Sequence, residues 1–254
     1  MSTATAERVS VEASDNYVFQ RSLLAYHAAA QLINGVVLEV GTGSGYGVDV
    51  VSPRADRFIT IDKFDCGLDL SQRTNVEFRR MTVPPLAGVA DQSVDCVISF
   101  QVIEHIEDDV KMVEEIWRVL RPGGRFIVST PNRLMSLTRN PWHVREYTAQ
   151  QLLDLLKGQF TKVECLGVSG NGKVMEYYEQ NRKGVERITR FDILDLQHRL
   201  PRWMLQIPYD ILNRINRRRL LEQNTDLTCS ITMQDYSVGE VSDKCFDLFY
   251  IAHK

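Results

Sequence analysis

Two histidines and two acids in this chain stand where they can move a proton. The run "QVIEHI" places Gln101, Glu104 and His105 at i, i+3 and i+4, the spacing that shares one face of a helix. Further on, "NPWHVREYT" supplies His143 and Glu146. An imidazole with an ordinary pKa near neutrality can take the proton of a hydroxyl as that oxygen attacks. Glu104, His105 and His143 are therefore the candidate catalytic residues, with His143 as the base. The plainer reading of Glu104 and His105 is that they organise the start of a helix and bond local groups.

A second constellation lies upstream. In "VVLEVGTGSGYGVDVV" an apolar run carrying Glu39 is followed by glycine at every second position from Gly41 to Gly47. Glycines after a first strand let the backbone turn sharply and approach a ligand, and the next helix offers free N–H groups. Asp62 ends the following apolar run, and a carboxylate there can accept both hydroxyls of a ribose. Strand, glycine loop and acid together point to an adenosine-containing cofactor. A dinucleotide fold wants G-x-G-x-x-G, whereas here the third glycine, Gly45, arrives one residue early.

The elements that must position these residues alternate. "YVFQRSLLAYHAAAQLI" repeats Phe19, Leu23, Tyr26, Ala30 and Ile33 at helical spacing. Strands are expected at "GVVLEVG", "DRFITID", "SVDCVISF", "GRFIVST" (entered through the turn "RPGG"), "TKVECLGV" and "FDLFYIA". Helices are expected at "DDVKMVEEIWRVL", with Val110, Val113, Ile116, Trp117 and Leu120 on one face, and at "TAQQLLDLLKGQF", capped by Thr148 and ending near Gly158. The alternation predicts an α/β fold: a doubly wound, Rossmann-like, mainly parallel sheet with helices on both faces.

Residues 173–235 break the rhythm. Val185, Ile188, Phe191 and Leu194 predict one helix and Ile211, Leu212 and Ile215 another, separated by Pro201 and Pro208. Ligands of open α/β sheets sit beyond the carboxyl ends of the strands, so a helical insertion there reads as a substrate lid. The expected organisation is one domain over 1–254: a helical cover (1–35), a cofactor-binding core (36–172), the insertion (173–235) and a final strand (236–254).

Composition narrows the class. The 254 residues are 44% hydrophobic and 25% charged with a net charge of −3, which gives no general reason to expect nucleic acid. Five scattered cysteines without a CxxC pair suit reduced thiols, and no secretory signal or 18-residue apolar run is present. The expectation is a cytoplasmic protein without stable membrane insertion; its oligomeric state is left open. "RINRRRLL" reads as a solvated basic helix face, with an anionic lipid or phosphate as the alternative, and Trp142 and Trp203 as core or rim aromatics or as stacking partners for a substrate ring.

"LEVGTGSGYG", "ITIDKF", "SVDCVISFQVIEHI" and "RVLRPGGRFIVSTPN", in that order over roughly residues 36–160, resemble the class I S-adenosylmethionine-dependent methyltransferases. The resemblance implies S-adenosyl-L-methionine as cofactor. Gly41, Gly43 and Gly45 would cradle its methionine part and Glu39 support the loop. Asp62, with Lys63 beside it, would bind the ribose, and Phe100 and Gln101 would lie beside the transferred methyl. Arg21 and Tyr26 would sit over the cofactor from the leading helix. Many relatives hold the adenine amine with an acid where this chain has Met81 and Thr82 in "FRRMTVPPL", so adenine is left to apolar and backbone contacts.

The implied activity is methyl transfer to a small-molecule acceptor (a sugar, a lipid-linked precursor or a secondary metabolite), most simply at a hydroxyl. Three alternatives stand beside it. One is a metal-dependent enzyme similar to RNA terminal 2′-O-methyltransferases, whose metal-binding E-x-x-E-H start is matched here at Glu104, His105 and His143. Gln101 replaces the first acid, which weakens a Mg²⁺ site and favours the version in which no metal is assigned. The others are a catalytically silent methyltransferase-like subunit and a nicotinamide-dependent oxidoreductase.

Overall fold

The computed structural model of the protein describes residues 12–190, 192 and 195–254. Eight strands form one sheet: β1 (Val36–Val40), β2 (Arg57–Asp62), β3 (Val76–Arg80), β4 (Val94–Phe100), β5 (Leu120–Pro131), β6 (Lys162–Gly170), β7 (Tyr236–Glu240) and β8 (Asp247–His253). Their order is β3-β2-β1-β4-β5-β8-β6-β7. The first five strands are mutually parallel, while β8 runs antiparallel between β5 and β6, and β7 antiparallel to β6. The sheet is thus mixed and mostly parallel.

Side-chain alternation along the central strands feeds two cores, one on each face. Leu38, Val97 and Phe126 face α3 (Asp109–Val119) and α4 (Ala149–Lys157), which contribute Met112, Ile116, Leu152 and Leu156. Val37, Ile98 and Ile127 face the other way, toward α1 (Asn16–Ala30) and α2 (Val48–Val51), meeting Tyr26, Ala29 and Val48. Thr148 caps α4 in a capping box with Gln151, and Gly158 follows its last residue. The segment between β6 and β7 is helical: α5 (Gly172–Thr189), α6 (Leu196–Arg199), α7 (Arg202–Gln223) and α8 (Thr225–Ser230).

Several sequence expectations are corrected here. β3 was missed because "VEFRR" is a half-buried, charged edge strand without an apolar run. "QVIEHI" does not open an α-helix: only Ile103–His105 form a 3-10 turn, and α3 starts six residues after Ile103, capped by Asp108, which accepts from Lys111 N at 2.9 Å. The buried face of α3 is Met112, Val113, Ile116 and Val119. Val110 is exposed, and Trp117 lies outside under the Lys254 ammonium, 3.7 Å from its ring centre. Ile33 falls beyond the end of α1, and Pro208 lies inside α7 rather than between two helices. Phe191 and Leu194 lie outside the described residues.

Candidate active site

The glycine loop turns at the carboxyl end of β1, where Gly41 N and Thr42 N both donate to Ile61 O at 2.8 and 3.2 Å. Gly43 has φ +57°, a left-handed conformation, and a Cβ added there would meet nothing within 4 Å. That side of the loop is bare backbone facing a cleft. Gly43 N donates to Asp62 Oδ2 at 2.9 Å, and Phe64 N donates to Asp62 Oδ1 at 2.9 Å. The strand-end carboxylate is thereby fixed at the lip of the cleft.

The cleft measures about 720 Å³ and is lined by Gly41, Gly43, Tyr26, Asp62, Lys63, Met81, Thr82, Phe100 and Gln101. Gly45 is buried against Leu68 and does not line it. Neither does Glu39, which is 1% exposed beneath the loop. Glu39 accepts hydrogen bonds from Tyr26 Oη at 2.8 Å and Thr60 Oγ1 at 2.5 Å, and Thr60 Oγ1 lies 2.6 Å from Thr42 Oγ1. Burial pushes the Glu39 carboxyl up to about 7, against the pull of its two hydroxyl donors. The Tyr26 ring, edge-on to Phe100 at 4.8 Å, forms the wall between this network and the cleft. Thr42, Ser44, Tyr46, Phe64, Val102 and Ile106 also line the cleft and were missed; being ordinary residues of its loops, they carry no motif.

A second cavity, about 240 Å³, lies on the far side of Gln101. Gln101 and His105 line both spaces. Gln101 has φ +57°, unusual for a side chain with a Cβ, and its amide nitrogens bond Ser129: N to the carbonyl at 2.9 Å and Nε2 to Oγ at 3.3 Å. Strain held at the junction of two cavities is the kind that marks functional positions. Arg21 lines this second cavity, not the glycine-loop cleft. Its Nε lies 2.8 Å from Asp247 Oδ2, with Tyr17 and Phe246 rings stacked near its guanidinium. Burial pushes the Asp247 carboxyl up to about 6, partly offset by Arg21. Further walls come from α5 and α7, including Tyr177, Tyr178, Asn181, Tyr209 and Asn213, and from the 131–146 loops.

Glu104, His105 and His143 meet at this cavity. Their ligand-capable atoms lie within 4.8 Å of one another, and the two imidazole centres are 4.9 Å apart. Glu104 Oε2 accepts from Thr130 Oγ1 at 2.9 Å, and its backbone oxygen accepts from Val144 N at 2.7 Å, tying the two loops together. His105 Nδ1 is 3.0 Å from the Trp142 carbonyl, which can only accept, so that nitrogen carries the proton. His143 Nδ1 is 2.6 Å from Glu146 Oε1, and its Nε2 is 2.8 Å from the Asn140 amide nitrogen. A proton on Nδ1 satisfies Glu146 and leaves Nε2 as an acceptor for Asn140. The Glu146 contact at Nδ1 orients the imidazole so that Nε2 is its accepting atom.

Comparison with known proteins places this geometry. The methyltransferase domain family matches residues 38–128. A probable S-adenosylmethionine-dependent methyltransferase of Mycolicibacterium smegmatis is 40% identical over 165 residues, 61% of this chain and 64% of that protein. The chain therefore spans less than two thirds of that relative's length. A ubiquinone biosynthesis O-methyltransferase of Pseudomonas fluorescens is 30% identical over 103 residues, 38% of this chain and 44% of that protein. Among solved structures, a possible histamine N-methyltransferase from Thermotoga maritima superimposes over 94% of this chain and 91% of its own, with TM-score 0.56 and 13% identity, a likeness of fold. Residues 38–128 thus carry a methyltransferase domain, and with the glycine loop, the strand-end Asp62 and the mostly parallel sheet the chain is similar to the class I S-adenosylmethionine-dependent methyltransferases.

Proposed function

We propose that the protein transfers the methyl group of S-adenosyl-L-methionine to a hydroxyl of a small-molecule acceptor bound in the second cavity. The observation that carries this reading is the junction: Gln101 and His105 border both the cofactor cleft and a cavity walled by polar and aromatic side chains. The chemistry of the cleft suits the cofactor. Asp62 offers carboxylate oxygens to ribose hydroxyls, the bare backbone at Gly43 accepts the methionine part, and Met81 and Thr82 border the space for adenine. The bound cofactor supplies a methyl already activated by its sulfonium. What remains for the chain is alignment, exclusion of water and removal of one proton. His143 takes that proton at Nε2, exchanging its Asn140 contact for the acceptor hydroxyl, while Glu146 holds Nδ1–H. The Pseudomonas relative, a ubiquinone biosynthesis O-methyltransferase, is in keeping with an oxygen acceptor.

The proposed organisation is a single domain in which 173–235 act as lid, since α5 and α7 supply walls of the second cavity. Among the described residues no helix is long and apolar enough to cross a membrane. Cytoplasmic location and a partner other than nucleic acid are part of the proposal.

The deciding experiment is titration calorimetry with S-adenosylhomocysteine, followed by incubation with labelled cofactor and metabolite extracts, scored for products heavier by one CH₂ unit. Asp62→Ala is expected to cost about 1.5–3 kcal/mol of binding, the range for hydrogen bonds to a charged acceptor. His143→Ala is expected to lower turnover about 10²–10⁴-fold with cofactor affinity unchanged. Preferential binding of NADH would overturn the reading. The closeness of Glu104, His105 and His143 favours one variant, in which a divalent ion grips the acceptor. Activity that survives EDTA, with no metal in elemental analysis, eliminates it.

A further inference from the structure

The outer face of α7 is an apolar stripe on a basic helix. At 100° per residue, Trp203, Ile207, Ile211, Arg214, Ile215 and Arg218 fall on one side of the cylinder. Trp203 and Ile207 are 71% and 72% exposed, and Ile211 and Ile215 54% and 55%. Four large apolar side chains aligned on one helix are a contiguous patch, unlike the scattered surface apolar residues normal in soluble domains. The stripe is not the lining of the second cavity, because Tyr209 and Asn213 face that cavity from the opposite side of the same helix.

The charges around the stripe state what covers it. Of the five arginines of α7, Arg202 and Arg217 pair with Glu107 and Asp15, while Arg214, Arg218 and Arg219 are exposed; the helix has two acids, Asp210 and the exposed Glu222, which lies at the far end of the stripe's arc. Asp210 is engaged inward, accepting from Trp142 Nε1 at 2.9 Å. Arg214 and Arg218 are exposed within the stripe itself. At its edge, Ile215 borders a cleft of about 610 Å³ between α5 and α7 that carries Lys183, Arg187 and Arg219 and, among the described residues, no acidic side chain in its lining. An apolar strip with tryptophan at one end, arginines interleaved and a basic cleft alongside is complementary to an interface with hydrocarbon below and phosphate above.

We infer that α7 docks the protein on an anionic phospholipid surface. The helix lies along the interface, with Trp203, Ile207, Ile211 and Ile215 entering the acyl boundary, Arg214 and Arg218 reaching headgroup phosphates, and the basic cleft holding one headgroup. It does not span, consistent with the absence of any sufficiently long apolar helix among the described residues. Docking brings the wall of the second cavity to the membrane, so an amphiphilic acceptor can enter without crossing water. The surface inference stands without the methyl-transfer reading; only this last consequence rests on it.

The test is co-sedimentation of the full chain with sucrose-loaded vesicles of pure phosphatidylcholine or of phosphatidylcholine with phosphatidylglycerol. Binding is expected to the anionic vesicles and to weaken with salt. Ile207→Asp should reduce the partition coefficient by about tenfold or more, because one large apolar side chain is withheld and a charge added. Arg214→Gln with Arg218→Gln should reduce it roughly fivefold per arginine on anionic vesicles only. Unchanged circular dichroism and S-adenosylhomocysteine affinity in each variant separate lost docking from lost folding and from failure of the cofactor reading. In the wild type, Trp203 emission should shift to the blue on binding, and Trp203→Phe should abolish that shift. Equal binding to both vesicle types, no binding at all, or a dimer that Ile207→Asp converts to monomer without altering vesicle binding would overturn the proposal.

Discussion

Replacing Glu39 by glutamine removes a buried carboxyl whose protonation is coupled to folding. In the native state this group titrates near 7, because burial disfavours its charged form more than the hydroxyls of Thr60 and Tyr26 favour it; the ordinary value is 4.5. Between those two values the native protein binds a proton that the unfolded chain has already released. Stability therefore falls as pH rises through that window, and the contribution present below 4.5 is gone above 7. At about 1.36 kcal/mol per pH unit the full span is worth about 3 kcal/mol, of which about 2.5 kcal/mol falls between pH 5 and pH 8. Glutamine preserves the contacts: its carbonyl accepts from Tyr26 Oη, and its amide donates to Thr60 Oγ1, which turns its own proton to Thr42. The assay is guanidinium unfolding of wild type and Glu39→Gln from pH 5 to pH 8. Other titrating groups, Asp247 among them, are common to both proteins and cancel in the difference. The variant should gain on the wild type by about 2.5 kcal/mol across this range, whatever the constant offset. Parallel profiles would refute the reasoning and mean that Glu39 is charged at little cost in the fold.

Gly47→Ala should destabilise by about 1–3 kcal/mol in chemical denaturation, since its Cβ would lie 2.1 Å from Tyr26 Cε1 and displace a cleft wall; an unchanged midpoint would mean that the ring moves freely. Thr148→Ala breaks the capping box of α4 and should cost about 0.5–2 kcal/mol by the same assay, with S-adenosylhomocysteine affinity intact. Arg21→Met leaves the buried Asp247 carboxyl without its counter-charge and should cost about 3–5 kcal/mol. Because Arg21 lowers the Asp247 pKa, its loss raises that pKa further, so thermal melts should show the larger loss at pH 8 than at pH 5.

The glycine-loop half of the candidate site was legible as structure because its parts are local. A buried strand shows as an apolar run, a sharp turn at φ +57° calls for glycine, and Asp62 follows at the end of the next strand in a register set by β1–β2 pairing. β5, the α4 cap and the alternation of strands with helices are local in the same way, although the expected turn at Arg121–Gly124 lies within β5 itself. The edge strands β3 and β7 escaped, β7 within what was read as one final strand over 236–254, since a strand only partly buried carries no apolar run.

Long-range pairing has no such signature. That "QVIEHI" makes a single 3-10 turn was decided by the strained Gln101 and by Glu104 bonding Thr130 and Val144. Arg21 belongs to the second cavity because β8, more than 200 residues later, threads Asp247 beside α1. The inner and outer faces of α7 differ only because α5 and the 131–146 loops close over one of them, leaving Ile207 in solvent. Periodicity states that a side chain has an apolar or polar neighbourhood to find. Which distant segment provides it depends on the sheet order, and that is settled only when β8 inserts between β5 and β6.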